Sequence, residues 1–132
     1  MPNWCSNTLN IHLMDDSEDM EKLKKIFEDG QKKEGEPFLA AFYPKPEGEH
    51  GHWQSDKWGT KWDVDINDYE IDREFAYFQF ESAWAPPSAW MEKISEDFPG
   101  LDFSLKYDEP GMGFMGVDTA KAGELEENCL EY

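Results

Sequence analysis

Six carboxylates crowd into twelve residues: Asp63, Asp65, Asp68, Glu70, Asp72 and Glu74. In an extended strand, residues i and i+2 share a face about 6.6 Å apart, close to the roughly 7 Å between successive phosphates of a nucleic-acid strand. Such a row suits recognition of Lys and Arg on another protein. It would also let the chain occupy the nucleic-acid groove of a nuclease, a CRISPR effector or a restriction enzyme. The same residues equally suit a solvated strand face that discourages edge-to-edge aggregation. Asp63, Asp65 and Asn67 with Glu74 at the twelfth position imitate part of a calcium loop. The sixth position, however, is Asp68 where an EF-hand needs Gly, and no helical pattern flanks both sides, so calcium binding of that kind is not expected.

The three histidines are His12, His50 and His52. His50 and His52 stand at i, i+2 in a Gly-rich stretch, and no Cys or His at finger-like spacing completes a zinc set, so no metal site is expected. The pair reads as a solvated turn, or as the acid or base of a small hydrolase or nucleotide-binding protein if the surrounding loop is a lid. No Ser or Cys nucleophile is partnered with it by sequence. Trp53, Trp58, Trp62 and Trp84 are the other unusual set. Exposed indoles stack on bases, but few cations accompany these, and a minor core under a folded-over loop is the plainer expectation. Gly111, Gly113 and Gly116 match the GxGxxG spacing without the strand and helix a dinucleotide site requires, so no cofactor is expected. Cys5 and Cys129 form no CxxC pair and read as two reduced thiols.

The charge of the whole chain narrows the partner class. Thirty acids against 12 bases give a net charge of -18 over 132 residues. Five of the bases lie between Lys22 and Lys33, so the rest of the chain is more acidic still. Direct binding to DNA, RNA or an anionic membrane needs the opposite sign. A basic protein surface is the natural complement. With 15% aromatic residues, the chain has the apolar area to fold rather than remain an acidic coil. Neither a leader pattern nor a long apolar run stands out, and a bacterial cytosolic location is expected.

Several elements must position these residues. Residues 4–13 alternate as a half-buried strand, with Leu9, Ile11 and Leu13 on one face. Ser17 reads as the N-cap of a helix carrying Met20, Leu23, Ile26 and Phe27, with Gly30 as its stop. Residues 34–61 show no sustained period and read as a long, Trp-rich insertion loop. Two strands of a hairpin follow, 62–66 and 75–80, with Asn67 and Asp68 in the turn. After Ala85-Pro86-Pro87-Ser88, a second helix with Trp90, Met91, Ile94 and Phe98 runs to Pro99-Gly100. A strand over 101–107 and a last one over 111–117 precede an acidic, solvated tail. This order predicts one α+β domain over 1–132: a ferredoxin-like, split-βαβ, two-layer sandwich with two helices on one face of an antiparallel sheet.

Pro2-Asn3-Trp4-Cys5, Trp58-Gly59-Thr60-Lys61-Trp62-Asp63 and Ala83-Trp84-Ala85-Pro86-Pro87 resemble the YubB-like proteins, a family of unassigned function carried by phages and plasmids. The resemblance implies a ferredoxin-like fold, a mobile-element origin and a bacterial cytosol, and it carries no catalytic residues. Together these readings predict an acidic accessory protein that binds and inhibits a host nucleic-acid-binding defence protein, with anti-CRISPR or anti-restriction character. The alternatives are the small nucleotide-binding protein or hydrolase centred on His50 and His52, and a homomeric structural module.

Overall fold

The computed structural model describes residues 3–15, 17–32, 38–48, 52–60 and 62–132. β1 (Trp4–Leu13) is the centre of the sheet. It pairs antiparallel with β3 (Phe75–Ala83) on one side and with β4 (Leu101–Glu109) on the other. Beyond β3 lies β2 (Ile66–Ile71), and beyond β4 lies β5 (Phe114–Lys121). Two short strands, β6 (Glu124–Glu126) and β7 (Cys129–Glu131), both pair with β5. The order β2-β3-β1-β4, with β5 and the short strands added at one edge, is that of a split βαβ antiparallel sheet.

The alternation read in β1 sets its two faces. Cys5, Asn7, Leu9 and Ile11 are buried, as are Ala76, Phe78 and Phe80 of β3 and Leu101, Phe103, Leu105 and Tyr107 of β4. The helices α1 (Asp19–Gln31) and α4 (Ser88–Asp97) bring Met20, Leu23 and Phe27, and Trp90, Met91 and Ile94, into the same core. On the opposite face of the sheet, Ser6, Thr8, Asn10 and His12 stand beside Lys106, Ser104 and Asp102, polar and at least partly exposed. Among the described residues no helix is long and apolar enough to cross a membrane.

Several boundaries differ from expectation. Ser17 does not cap α1: the helix begins at Asp19, its N-cap position is Glu18, and it runs one residue past Gly30. The Ser17 hydroxyl accepts a long bond from the Asp19 N–H at 3.4 Å. The stretch 34–61 is not simply a loop, since it holds α2 (Leu39–Phe42) and α3 (Trp53–Lys57). Trp62 and Val64 precede β2 rather than forming it, and Asn67 and Asp68 lie inside that strand, at a register shift between Ile66 and Asp68. The hairpin turn is at residues 72–74. The last strand lies three to four residues later than read, at Phe114–Lys121, and the acidic tail is paired to it.

Candidate functional site

The six acids of the hairpin split into two kinds. Asp65, Asp68, Glu70, Asp72 and Glu74 are exposed. Asp68 accepts a hydrogen bond from the Tyr77 hydroxyl at 3.0 Å, and Asp72 accepts one from the Arg73 N–H at 2.6 Å inside the turn. Register places Asp68 opposite Gln79 and Glu70 opposite Tyr77, while Tyr69 and Ile71 oppose the buried Phe78 and Ala76. The carboxylates of β2 therefore share the helix-free side with Tyr77 and Gln79, and the apolar residues share the helix side.

Asp63 is different and leaves the candidate set. One of its oxygens accepts the N–H of Leu39 at 2.7 Å and that of Val64 at 2.7 Å, and the other accepts the N–H of Ala40 at 3.0 Å. It thus fastens the start of α2 to the approach of β2. Burial pushes its pKa above the ordinary aspartate value, against the pull of those N–H donors. A side chain this occupied is structural.

The loop set divides as well. His50 lies outside the described residues, and His52 is exposed just before α3. Trp58 is 2% exposed and donates its Nε1–H to the Tyr43 carbonyl at 2.9 Å. Trp53 is half-buried between Trp58 and Tyr43, with edge-on ring contacts of 5.6 and 5.3 Å. Trp58 belongs to a core beneath the loop and cannot offer a stacking platform, and the partly exposed Trp53 packs against that core. Trp62 and Trp84 remain 43% and 42% exposed, and Trp62 lies 6.4 Å from the ring of Trp4, itself 46% exposed.

The three motifs of the N-terminus, the Trp-rich segment and the pre-helix turn meet at this end of the sheet. The Trp84 N–H donates to the Asn3 carbonyl at 2.8 Å, and the Thr60 hydroxyl donates to the Ala83 carbonyl at 2.8 Å. Gly59 has φ +88, and a Cβ there would stand 3.2 Å from the Pro86 carbonyl, so the backbone conformation together with this tight approach favours glycine. Trp84 itself has φ 71, a strained backbone for a bulky residue.

Sequence reasoning missed a buried polar centre next to this junction. Asp118, 1% exposed, accepts the Ser88 hydroxyl at 2.5 Å, the Tyr107 hydroxyl at 3.0 Å and the Asn128 N–H at 3.2 Å. It ties the start of α4, the middle of the sheet and the acidic tail to one carboxylate. Burial pushes the Tyr107 phenol far up, and its bonds to Cys129 and Asp118 push the same way. A hollow of about 360 Å³ beside it is lined by Gly59, Pro86, Ser88, Glu127 and Cys129 among others. With both oxygens engaged by the chain's own donors, Asp118 is a clasp. An acid at an inward position of β5 was its sequence signal, hidden while that strand was placed too early. Among the described residues, no group of three or more His, Cys, Asp or Glu is placed to hold a metal.

The geometry has counterparts among known proteins. A family model described as the ferredoxin-like domain in Api92-like protein matches residues 57–132. A crystal structure of Api92 from Yersinia pseudotuberculosis superposes with a TM-score of 0.53 at 21% identity, over 71% of this chain and 39% of that one. That likeness is one of fold, and the chain spans about two-fifths of the length of Api92. No curated protein matches the chain. The model match covers residues 57–132, more than half the chain, so the chain belongs to the family of the ferredoxin-like domain in Api92-like protein.

Proposed function

We propose that this chain is an acidic protein-binding module. In this reading it is an accessory factor of a phage or plasmid that engages the basic, nucleic-acid-binding face of a host defence protein and blocks it, as an anti-CRISPR or anti-restriction protein would. The observation that carries the reading is the row Asp65, Asp68, Glu70, Asp72 and Glu74, exposed along one edge of the sheet and its turn. The one ion pair seen between described side chains, Lys93 to Asp97 at 2.7 Å, lies elsewhere. Unneutralised carboxylates in a row speed encounter with a cationic surface and fix which surface is accepted. The resemblance to YubB-like proteins supplies the mobile-element origin, and the bacterial cytosol as location belongs to the same proposal.

The test is affinity capture from bacterial lysate on the immobilised protein, eluted with a salt gradient, followed by competition with DNA for whatever is captured. The expected result is a DNA- or RNA-binding enzyme, released at moderate salt, whose nucleic acid competes with the module. The variant D65N/D68N/E70Q/D72N should release that enzyme at distinctly lower salt. Capture that is insensitive to salt, to DNA and to the four substitutions would overturn the proposal.

A further inference from the structure

The strand that carries Asp68 and Glu70 of the acidic row ends the described sheet. Among the described residues β2 has β3 as its one strand neighbour, so alternate N–H and C=O groups along Ile66–Ile71 face away from the sheet. The two sides of this edge are chemically unlike. On the helix-free side stand Asp68 and Glu70. On the helix side Tyr69 packs on Phe27 at 4.8 Å and stacks on Phe78, yet remains 52% exposed. Beside Ile71 a hollow of about 300 Å³ opens against α1, lined by Met20, Glu21, Lys24, Asp72 and Arg73.

From this we propose that β2 takes up an extended segment of its partner as an added strand, one in which Arg or Lys alternates with apolar residues. The inference rests on the preceding reading and gives it a mode of recognition. Backbone pairing along β2 supplies affinity, and the alternate side chains supply selection. Cationic side chains fall over Asp68 and Glu70, and the apolar ones lie against Tyr69 and Ile71 and reach into the hollow. A second copy of this chain is a poor occupant, because it would set the same carboxylates against themselves. Charges on an open edge exclude most strands, and here they leave one class admissible.

The experiment measures binding of four short synthetic peptides to the protein by calorimetry. Three are alternating Arg-Val: one unmodified, one N-methylated at the odd positions and one at the even positions. The fourth has the same composition with its Arg and Val in separate blocks. The proposal expects the unmodified alternating peptide to bind at least tenfold tighter than the blocked one. One of the two methylation patterns should abolish that advantage, and amides of residues 66–71 should gain protection from hydrogen exchange on binding. Equal, salt-dependent binding of all four peptides, weakened by D68N/E70Q, would overturn strand addition while leaving the acidic reading intact. Absence of any salt-dependent binding would overturn the acidic reading itself. Self-association of the free protein that protects residues 66–71 would assign the edge to a second copy and overturn the proposal.

Discussion

Asp63 and Asp68 sit five positions apart in one acidic run and do opposite work. Three backbone N–H groups, those of Leu39, Ala40 and Val64, converge on Asp63. Asp63→Ala should therefore cost about 1–3 kcal/mol of stability in urea unfolding, the cost of leaving partly buried donors unpaired. Asp68→Asn, at an exposed position with one contact to Tyr77, should change stability by less than about 0.5 kcal/mol. The two thiols differ in the same way. Burial pushes Cys5 up to about 12, the nearby Glu109 and Asp108 charges add to this, and a hydrogen bond with Ser82 opposes it. A raised thiol pKa means the native state holds its proton longer than the unfolded chain does. The resulting stabilisation is complete below the unfolded pKa of roughly 8.5 and is lost as pH rises toward 12. Cys129, exposed, should react with a thiol reagent in the native protein, and Cys5 should react only on unfolding. Mass spectrometry of labelled protein at pH 8, with and without urea, checks this, and two equivalents incorporated natively would contradict it.

Between β5 and β6 the chain reverses over two residues, and both have positive φ: Ala122 at 50 and Gly123 at 86. That is a type I′ geometry, which favours Asn-Gly and strains alanine. Ala122→Asn should stabilise the protein by about 0.5–1 kcal/mol, a rise of a few degrees in Tm by calorimetry. The elements also differ in how far the sequence reveals them. β1, β3, β4 and α4 were legible because each buries one face at a strict period, and this period fixes type and register together. β2 was displaced because Asn67 and Asp68 carry turn propensity, while pairing with β3 holds them in a strand with an irregularity between Ile66 and Asp68. β6 and β7 have three residues each, too few for a period, so the tail read only as charge. The candidate site was half legible. Spacing picked out Asp65 to Glu74, which the structure leaves exposed, but Asp63 looked the same as its neighbours until the first N–H groups of α2 were seen to donate to it. Likewise Trp58 and Trp53 looked like Trp62 until Tyr43 was seen to pack against them.

The net charge of -18 acts on the whole molecule, and it makes salt a diagnostic with two opposite signs. Folding gathers like charges into a compact body, and self-repulsion opposes that compaction. Added salt shortens the screening distance from about 30 Å at 0.01 M to about 8 Å at 0.15 M, so repulsion between distant surface carboxylates is largely screened at the higher concentration. The Tm should therefore rise between 0.01 and 0.15 M NaCl, with most of the gain in that interval. Association with a basic partner should weaken over the same interval, because the same screening removes the attraction that draws the partner in. The pairing of the two signs is informative because no local feature produces both. A single exposed ion pair such as Lys93 with Asp97 would make salt mildly destabilising, and apolar docking would make association insensitive to salt. Substituting Asp65, Asp68, Glu70 and Asp72 by their amides removes four of the negative charges and should reduce both slopes together. Differential scanning fluorimetry and binding isotherms across one NaCl series measure them side by side. A variant that loses the binding slope and keeps the full stability slope would show that repulsion is spread over the molecule while recognition is confined to the β2 edge.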